Sequence, residues 1–305
     1  MIRCLHCDTA FFRTEGRETC PVCEWTPAMI DGLPAYAPEL ARAGGGFEPE
    51  YFDDLAALEA NNFWFQSRNK LLQWIVKRFR PNFESFLEVG CGSGFVLSGI
   101  ARVNPHARIA GSEIFIAGLS FARVRLPAVS LMQMDARNVP FIDDFDVVGA
   151  FDVLEHIEED ELVLSQLHAA LKEGGLLMIT VPQHPWLWST LDEYSRHFRR
   201  YTEKELRRKV EAAGFKIVKS TSFVTILLPA MVLSRLLRRN KAVEEIDVRA
   251  ELQLPPLMNT IFGFLLSCEV ALIKLGITLP IGGSRLVVAR KVSSAGSRDA
   301  QSSSG

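Results

Sequence analysis

Phe86-Leu87-Glu88-Val89-Gly90-Cys91-Gly92-Ser93-Gly94 runs from an apolar stretch directly into glycines at alternate positions. The apolar run reads as a buried strand. Beyond the glycines, Val96, Ile100 and Val103 share one face of a helix. A strand, a glycine turn and a helix in that order bring unpaired N–H groups at the helix start beside a backbone that a ligand can approach closely. Loops of this kind hold nucleotides. The dinucleotide fingerprint requires Gly-x-Gly-x-x-Gly, whereas here the third glycine falls one residue early and Phe95 fills its place, so a pyrophosphate is poorly served.

Downstream, short apolar runs alternate with helical patterns, the signature of a doubly wound α/β sheet. The pattern predicts seven strands, near 85–89, 108–112, 128–132, 145–150, 175–181, 215–221 and 285–290. Thr202 with Glu205 forms a capping box for a helix that buries Leu206, Val210 and Ala213 and closes at Gly214. Another helix is expected over about 158–172, acidic first and basic last, as the helix dipole favours. Upstream, a single helix is predicted over 55–80, with Leu71, Leu72, Ile75, Val76 and Phe79 on one face and Pro81 as its stop. It carries the aromatic knot Phe63-Trp64-Phe65.

Acidic residues follow the strand ends. Glu113 closes the second strand, where a carboxylate can accept from both hydroxyls of a ribose. Asp135, in Met134-Asp135-Ala136 after the third strand, can accept from the exocyclic amine of adenine. The fourth strand leads into Phe151-Asp152-Val153-Leu154-Glu155-His156 at the carboxyl edge, where open sheets bind ligands. Taken singly, each has a plainer reading: Gly90 and Gly92 as turns, Glu113 as a helix cap, Asp135 as a solvated loop residue and Cys91 as a small core filler.

In this order and spacing the motifs resemble those of class I S-adenosylmethionine-dependent methyltransferases of the small-molecule branch, with E-x-G-x-G-x-G and an L-E-H-type element after the fourth strand. The likeness covers about 84–221 and the final strand. It implies a Rossmann-like, seven-stranded sheet and S-adenosylmethionine as methyl donor. By the same likeness Glu88, Gly90, Gly92 and Gly94 cradle the methionine part, Glu113 binds ribose, Asp135 and Ala136 lie by adenine, and Phe151 and Asp152 flank the sulfonium.

Cys4-x-x-Cys7 and Cys20-x-x-Cys23 have the spacing of two facing zinc knuckles. Four thiolates complete a tetrahedral Zn²⁺ site with no open position, so the ion would fold a zinc ribbon over 1–30 that is too small for its own core. A redox pair or free thiols is the alternative, and His6 is read as a bystander. Gly44-Gly45-Gly46 marks a linker over 31–50, leaving 51–222 and 284–292 as the catalytic domain.

After the fifth strand, Trp186, Trp188, Asp192, Glu193, His197, Arg199, Arg200 and Tyr201 mix aromatic walls with titratable groups, which suits an acceptor pocket. A similar H-x-R-R-Y-T segment occurs in methyltransferases of this branch. Methyl transfer is an in-line displacement at an activated carbon, so positioning supplies much of the rate. A base is needed only for a hydroxyl-like acceptor; His156 and His197 are the catalytic candidates, against a cap or packing role for the first and surface pairing for the second. Arg199 and Arg200 either grip a phosphate or carboxylate or face solvent. Asp152, Glu155 and His156 have the D-x-x-E-H spacing of ubiquinone-pathway O-methyltransferases, which would suit a loose magnesium site.

An insertion over 223–283 carries apolar helical segments at 223–239 and 257–275, with Arg235, Arg238, Arg239 and Lys241 beside them. It suits an anionic membrane surface or a lid over a lipid-like substrate. Interruption of the second face by Glu269 and Lys274 favours a cap packed on the protein. The longest uncharged runs, 220–234 and 253–268, fall short of 18 residues and contain prolines, so no spanning helix is expected. The tail 293–305 reads as disordered. With 305 residues, 48% hydrophobic content and a net charge of −2, the chain is expected to be globular, without the footprint of a nucleic-acid binder. The first residues lack the apolar run of a secretory signal, which points to the cytosol, with peripheral contact at the inner face of the membrane left open.

Base-methylating chemistries fit poorly. The Asp/Asn-Pro-Pro-aromatic motif of amino-methylating enzymes is replaced by Asp152-Val153-Leu154-Glu155, and neither Cys91 nor Cys268 is placed as a nucleophile. The sequence therefore points to methylation of a small acceptor, at oxygen, in which the acceptor is lipid-linked or amphiphilic. Two rivals remain: an RNA or protein methyltransferase using the zinc ribbon for recognition, and a catalytically silent donor-binding scaffold.

Overall fold

The fold is that of a computed structural model, which describes residues 1–13, 18–42, 51–238 and 254–292. At the N-terminus, β1 (Ile2–Arg3) and β2 (Ala10–Phe11) form a small antiparallel ribbon, followed by the hairpin β3 (Ala28–Ile30) and β4 (Leu33–Ala35). The main sheet contains β5 (Ser85–Val89), β6 (Arg108–Glu113), β7 (Ser130–Gln133), β8 (Phe145–Phe151), β9 (Leu171–Pro182), β10 (Phe215–Phe223) and β11 (Ser284–Lys291). These are the seven expected strands. Their spatial order, read from β10, is β10-β11-β9-β8-β5-β6-β7, parallel except where β11 runs antiparallel between β9 and β10.

The sheet does not stop at seven. β4 pairs parallel with β7 through Ala35 and Gln133, and β3 follows, giving nine strands. The Gln133 side chain reinforces the join: Oε1 accepts from Ala37 N (3.1 Å) and Nε2 donates to Ala37 O (2.8 Å). The linker expected over 31–50 therefore contains an edge strand, and Gly44-Gly45-Gly46 lies outside the described residues. Arg239, Lys241 and the tail 293–305 also lie outside them.

Strands β5 and β8 are buried along their whole length, as central parallel strands covered on both faces must be. Side chains alternate between two cores. Leu87, Val89 and Val148 face α5 (Asp160–Ala170) and α7 (Glu203–Ala212), where Ile2, Phe11 and Tyr36 of the N-terminal module also pack. Phe86 and Val147 face the other core, shared with α2 (Phe63–Phe79), α3 (Phe95–Val103) and α4 (Ile116–Arg125).

The single helix expected over 55–80 is two. α1 (Tyr51–Glu59) ends before Asn62, whose side chain accepts from Trp64 N (2.9 Å) and so caps the start of α2. The helix expected to 172 stops at Ala170 because Leu171 already belongs to β9. In the insertion, α8 (Leu228–Arg238) and α9 (Pro256–Lys274) occupy the two expected segments. α9 lies along α2: the rings of Phe63 and Phe262 are 5.4 Å apart, and Asn259 accepts from Phe63 N (2.9 Å) while donating to Asn61 O (2.9 Å). Inside, Glu269 accepts from Ile226 N (2.9 Å). By length and mean hydropathy (19 residues, 1.6), α9 is the one helix among the described residues that could cross a bilayer, a property that counting uncharged runs overlooks because Glu269 interrupts them. It packs along α2, while Leu257, Ile261, Phe264, Leu272 and Leu275 remain exposed.

Candidate active site

A cavity of about 950 Å³ opens at the carboxyl ends of β5, β8 and β9. The glycine loop and Glu88 form one wall, the segment 188–200 the opposite wall, and α8 and α9 the roof.

The glycine-loop wall is set by backbone. Gly90 has φ +72°, and a Cβ there would lie 2.4 Å from Val153 Cγ2, so only glycine fits this close crossing of β5 over the turn after β8. Gly90 and Gly92 line the cavity; Gly94 caps α3 and packs against Ala122 instead. Glu88 is buried with Oε2 unpartnered, and burial pushes its carboxyl well above the usual range despite the nearby Arg68 guanidinium. Arg68 reaches in from α2, lies over the Trp64 ring (4.4 Å to its centroid) and pairs with Asp152. Asp152 sits at φ +58°, an uncommon conformation at the cavity edge.

Sequence reasoning missed Arg68. The only signal was the aromatic knot one helical turn before it, which forms the platform under its guanidinium.

Phe151 and Asp152 line the cavity, but Glu113, Asp135 and Ala136 do not. The Glu113 carboxylate accepts from Gly92 N (3.0 Å), Ile114 N (2.8 Å) and Phe115 N (3.3 Å), tying the glycine loop to the end of β6. The Phe52 ring of α1 lies against Gly92, Gly118 and the Glu113 side chain's surroundings, covering that edge. Asp135 is clamped by Arg137, with contacts of 3.1, 3.0 and 2.8 Å, and Ala136 is buried in the core.

On the opposite wall Asp192 is the hub. Fully buried, it accepts from His197 Nδ1 (2.9 Å) and Arg200 Nε (2.7 Å) on one oxygen, and from Ser189 N (2.8 Å) and Oγ (2.9 Å) on the other. Burial alone would raise its pKa, but the bonds from His197 and Arg200 prevail and hold it at about 2. His156 stands edge-on to His197, 4.6 Å between ring centres, and burial with that neighbour lowers it to about 3. Glu155 is completely buried with neither carboxylate oxygen partnered, and burial followed by the Asp152 charge pushes it well up.

The expected acceptor residues divide. Trp188 and Arg200 line the cavity, whereas Trp186, Arg199 and Tyr201 do not. Trp186 is exposed and stacked on His184 (5.2 Å); Arg199 pairs with Asp160 (3.0 Å), and the Tyr201 hydroxyl donates to Asp160 (2.7 Å). Tyr201 forms a β-bridge with Gln183, and along an extended segment successive side chains point to opposite sides, so Arg200 faces inward while its neighbours anchor the segment to α5. The proposed trio Asp152, Glu155 and His156 is likewise revised: Asp152 is held by Arg68, and the atoms that converge belong to Glu155, His156 and His197. The roof is mostly apolar, built by Leu227, Met231, Met258 and Phe262, with Ser234 and Arg235 of α8 also lining the cavity.

The four N-terminal cysteines form a second cluster, with Sγ atoms 3.6 Å apart in the pairs Cys4–Cys23 and Cys7–Cys20 and all within 4.8 Å. Bonds of ~2.3 Å to a tetrahedral Zn²⁺ would separate sulfurs by roughly 3.8 Å. The spacing therefore fits that ion.

Seven main strands, parallel but for one reversed strand next to last at the edge, with a glycine loop after the first of them in the chain and an acidic turn after the fourth, are the class I methyltransferase architecture. A profile of the methyltransferase domain family matches residues 58–220, more than half of the chain, and the chain belongs to that family. It is 27% identical over 168 residues to a probable S-adenosylmethionine-dependent methyltransferase of Mycolicibacterium smegmatis, covering 53% of this chain and 63% of that protein. It is 26% identical over 137 residues to the demethylmenaquinone methyltransferase of Chlorobaculum parvum, covering 45% and 56%. The chain thus matches less than two thirds of the length of these relatives. Among solved structures, Haemonchus contortus phosphoethanolamine N-methyltransferase 2, in complex with phosphomonomethylethanolamine and S-adenosylhomocysteine, shares the fold at 19% identity and a TM-score of 0.52, covering 80% of this chain and 58% of that one.

Proposed function

We propose that the protein transfers the methyl group of S-adenosylmethionine to an oxygen of a small amphiphilic or lipid-linked acceptor. The observation that carries this reading is a single cavity with an unpartnered acid beside a glycine loop on one wall, imidazoles on the other and an apolar roof. The buried Glu88 carboxylate suits the ammonium of the donor's methionine part, and Arg68 suits its carboxylate. Glu113, Asp135 and Ala136 then serve ribose and adenine, which requires Phe52 and the Arg137 side chain to yield. His197 is oriented by Asp192 and, beside the less basic His156, is placed to receive the acceptor's hydroxyl proton. The oxygen forms its bond to the methyl carbon as the S–CH₃ bond breaks, leaving S-adenosylhomocysteine.

The acceptor class draws support from the roof and from a relative named for a quinone precursor. The exposed apolar side of α9 suits peripheral contact with a bilayer at its cytosolic face. Zn²⁺ in the four-cysteine cluster would hold the N-terminal module together, a structural role. The test is incubation with methyl-labelled donor and host lysate, followed by separation into lipid, soluble, RNA and protein pools. Label in the lipid or soluble pool is expected; label in RNA or protein would overturn the acceptor class, and label in none would favour a silent scaffold.

A further inference from the structure

Glu155 poses a problem that methyl transfer alone does not answer. Its carboxyl group is fully buried and neither oxygen meets a donor. Ionising a buried carboxyl group without a partner costs several kcal/mol, so it either stays protonated or takes a partner of opposite charge, which a bound cation would supply. Asp152 cannot share the position with a cation on equal terms, because Arg68 already engages it.

Two imidazoles lie beside Glu155, and the Arg68 and Arg200 guanidiniums act on it by charge without donating to it. The Nδ1 of His156 is buried without a hydrogen-bond partner. His197 arrives from a different segment and gives Nδ1 to Asp192, which leaves its Nε2 for the cavity. One ligand atom from each of the three lies within 4.8 Å of the others.

We infer that Glu155, His156 and His197 bind a divalent first-row transition cation, at a site separate from the four cysteines. One carboxylate and two imidazoles form a donor set suited to manganese, iron, cobalt or zinc; magnesium and calcium prefer oxygen throughout. Bonds of ~2.1 Å would hold the ligand atoms roughly 3 to 4 Å apart. The side chains must rotate to close the remaining distance.

The surroundings have the form of an outer ligand shell. Asp192 fixes the tautomer and direction of the His197 ring, and is itself fixed by Arg200 and Ser189, as carboxylates behind metal-bound imidazoles commonly are. Three protein ligands leave positions open toward the cavity. With the ion bound, His156 and His197 would serve as ligands in place of proton acceptors, and the ion would supply the activation instead, making an acceptor hydroxyl at the open position easier to ionise, with its proton lost to solvent. That last role rests on the methyl-transfer reading; the binding of the ion does not.

The experiment uses the full-length protein, stripped by chelator under reducing conditions and titrated with cobalt(II). A thiolate site announces itself by strong sulfur-to-cobalt absorption in the near ultraviolet, which a nitrogen and oxygen site lacks. Two equivalents are expected in the unaltered protein. Cys4→Ser with Cys7→Ser should abolish the sulfur band and leave the second equivalent. Glu155→Gln and His197→Gln should keep the sulfur band and weaken the other site at least ~100-fold, and Asp192→Asn, behind the imidazole, by roughly 10- to 100-fold. Calorimetry with S-adenosylhomocysteine shows that each variant is folded. Only one equivalent in the unaltered protein, a second equivalent untouched by Glu155→Gln and His197→Gln, or binding of magnesium as tight as that of cobalt would overturn the inference. A protein that binds both ions yet methylates nothing would instead overturn the proposed function alone.

Discussion

The two walls of the cavity are built on different principles. The glycine-loop wall is contiguous in sequence and shaped by backbone: a buried strand, a turn that only glycine can make at residue 90, and the start of a helix. The wall opposite is assembled from separated segments whose side chains meet on one buried carboxylate, Asp192, with Glu155 and His156 contributed from the turn after β8. Backbone geometry tolerates no substitution at its tightest point but needs no partner. A side-chain network is adaptable in composition yet depends on each member, because removing one leaves others buried and unsatisfied.

If that contrast is right, the walls should fail separately and in different ways. The largest effect is expected from Gly90→Ala, which combines strain of ~1–2 kcal/mol from a positive φ with an overlap against Val153 costing roughly 1–3 kcal/mol. Calorimetry with S-adenosylhomocysteine should register a loss of ~100-fold or more in affinity. Undiminished binding would mean that backbone approach does not set this wall.

Asp192→Asn should lower kcat by about 100-fold, within the range of general-base contributions. It should leave donor affinity within about twofold, since the two sites share no partner. A parallel fall in donor affinity would show that the walls are one unit.

The same residue gives a stability test. Its folded pKa of about 2 lies below the ordinary aspartate value of 3.8, so its contribution is present above the higher value and disappears as pH falls through the lower. The shift corresponds to ~2 kcal/mol. Denaturant melts of the protein and of Asp192→Asn should differ by about that much at pH 7 and converge toward pH 2; a constant gap would place the stabilisation elsewhere.

The smallest effect is expected at the roof. Met231→Ala removes apolar contact worth about 1 kcal/mol, and KM for the acceptor should rise roughly fivefold with kcat and donor affinity unchanged. An unchanged KM would remove the roof from acceptor recognition.

The same contrast explains which parts of the molecule are legible in its amino-acid sequence. All seven main strands, the glycine loop and the Thr202 N-cap, which accepts from Glu205 N without the reciprocal bond of a full capping box, can be read there, because each is encoded by neighbours along the chain. The edge hairpin cannot: Leu33-Pro34-Ala35 is short and turn-rich, and it becomes a strand only because Gln133 and the end of β7 offer it a ladder. Of the acceptor segment, the residue types are legible but their directions are not. Alternation along the strand-like stretch turns Arg199 and Tyr201 toward Asp160 and Arg200 toward Asp192, and a sequence without an established register does not reveal which face is inward. Arg68 lies beyond reach for a different reason, since it enters the site from a helix that precedes the sheet's central strands altogether.

The pairing of β4 on β7 has a consequence for assembly. A bare outer strand offers its unpaired amides and carbonyls as a template to any passing polypeptide. Here that rim is occupied from within, and what remains outermost is β3, only three residues long. On this side another chain finds only that three-residue rim unless the molecule first lets go of its own beginning, so whatever fastens the N-terminal module also guards against unwanted association.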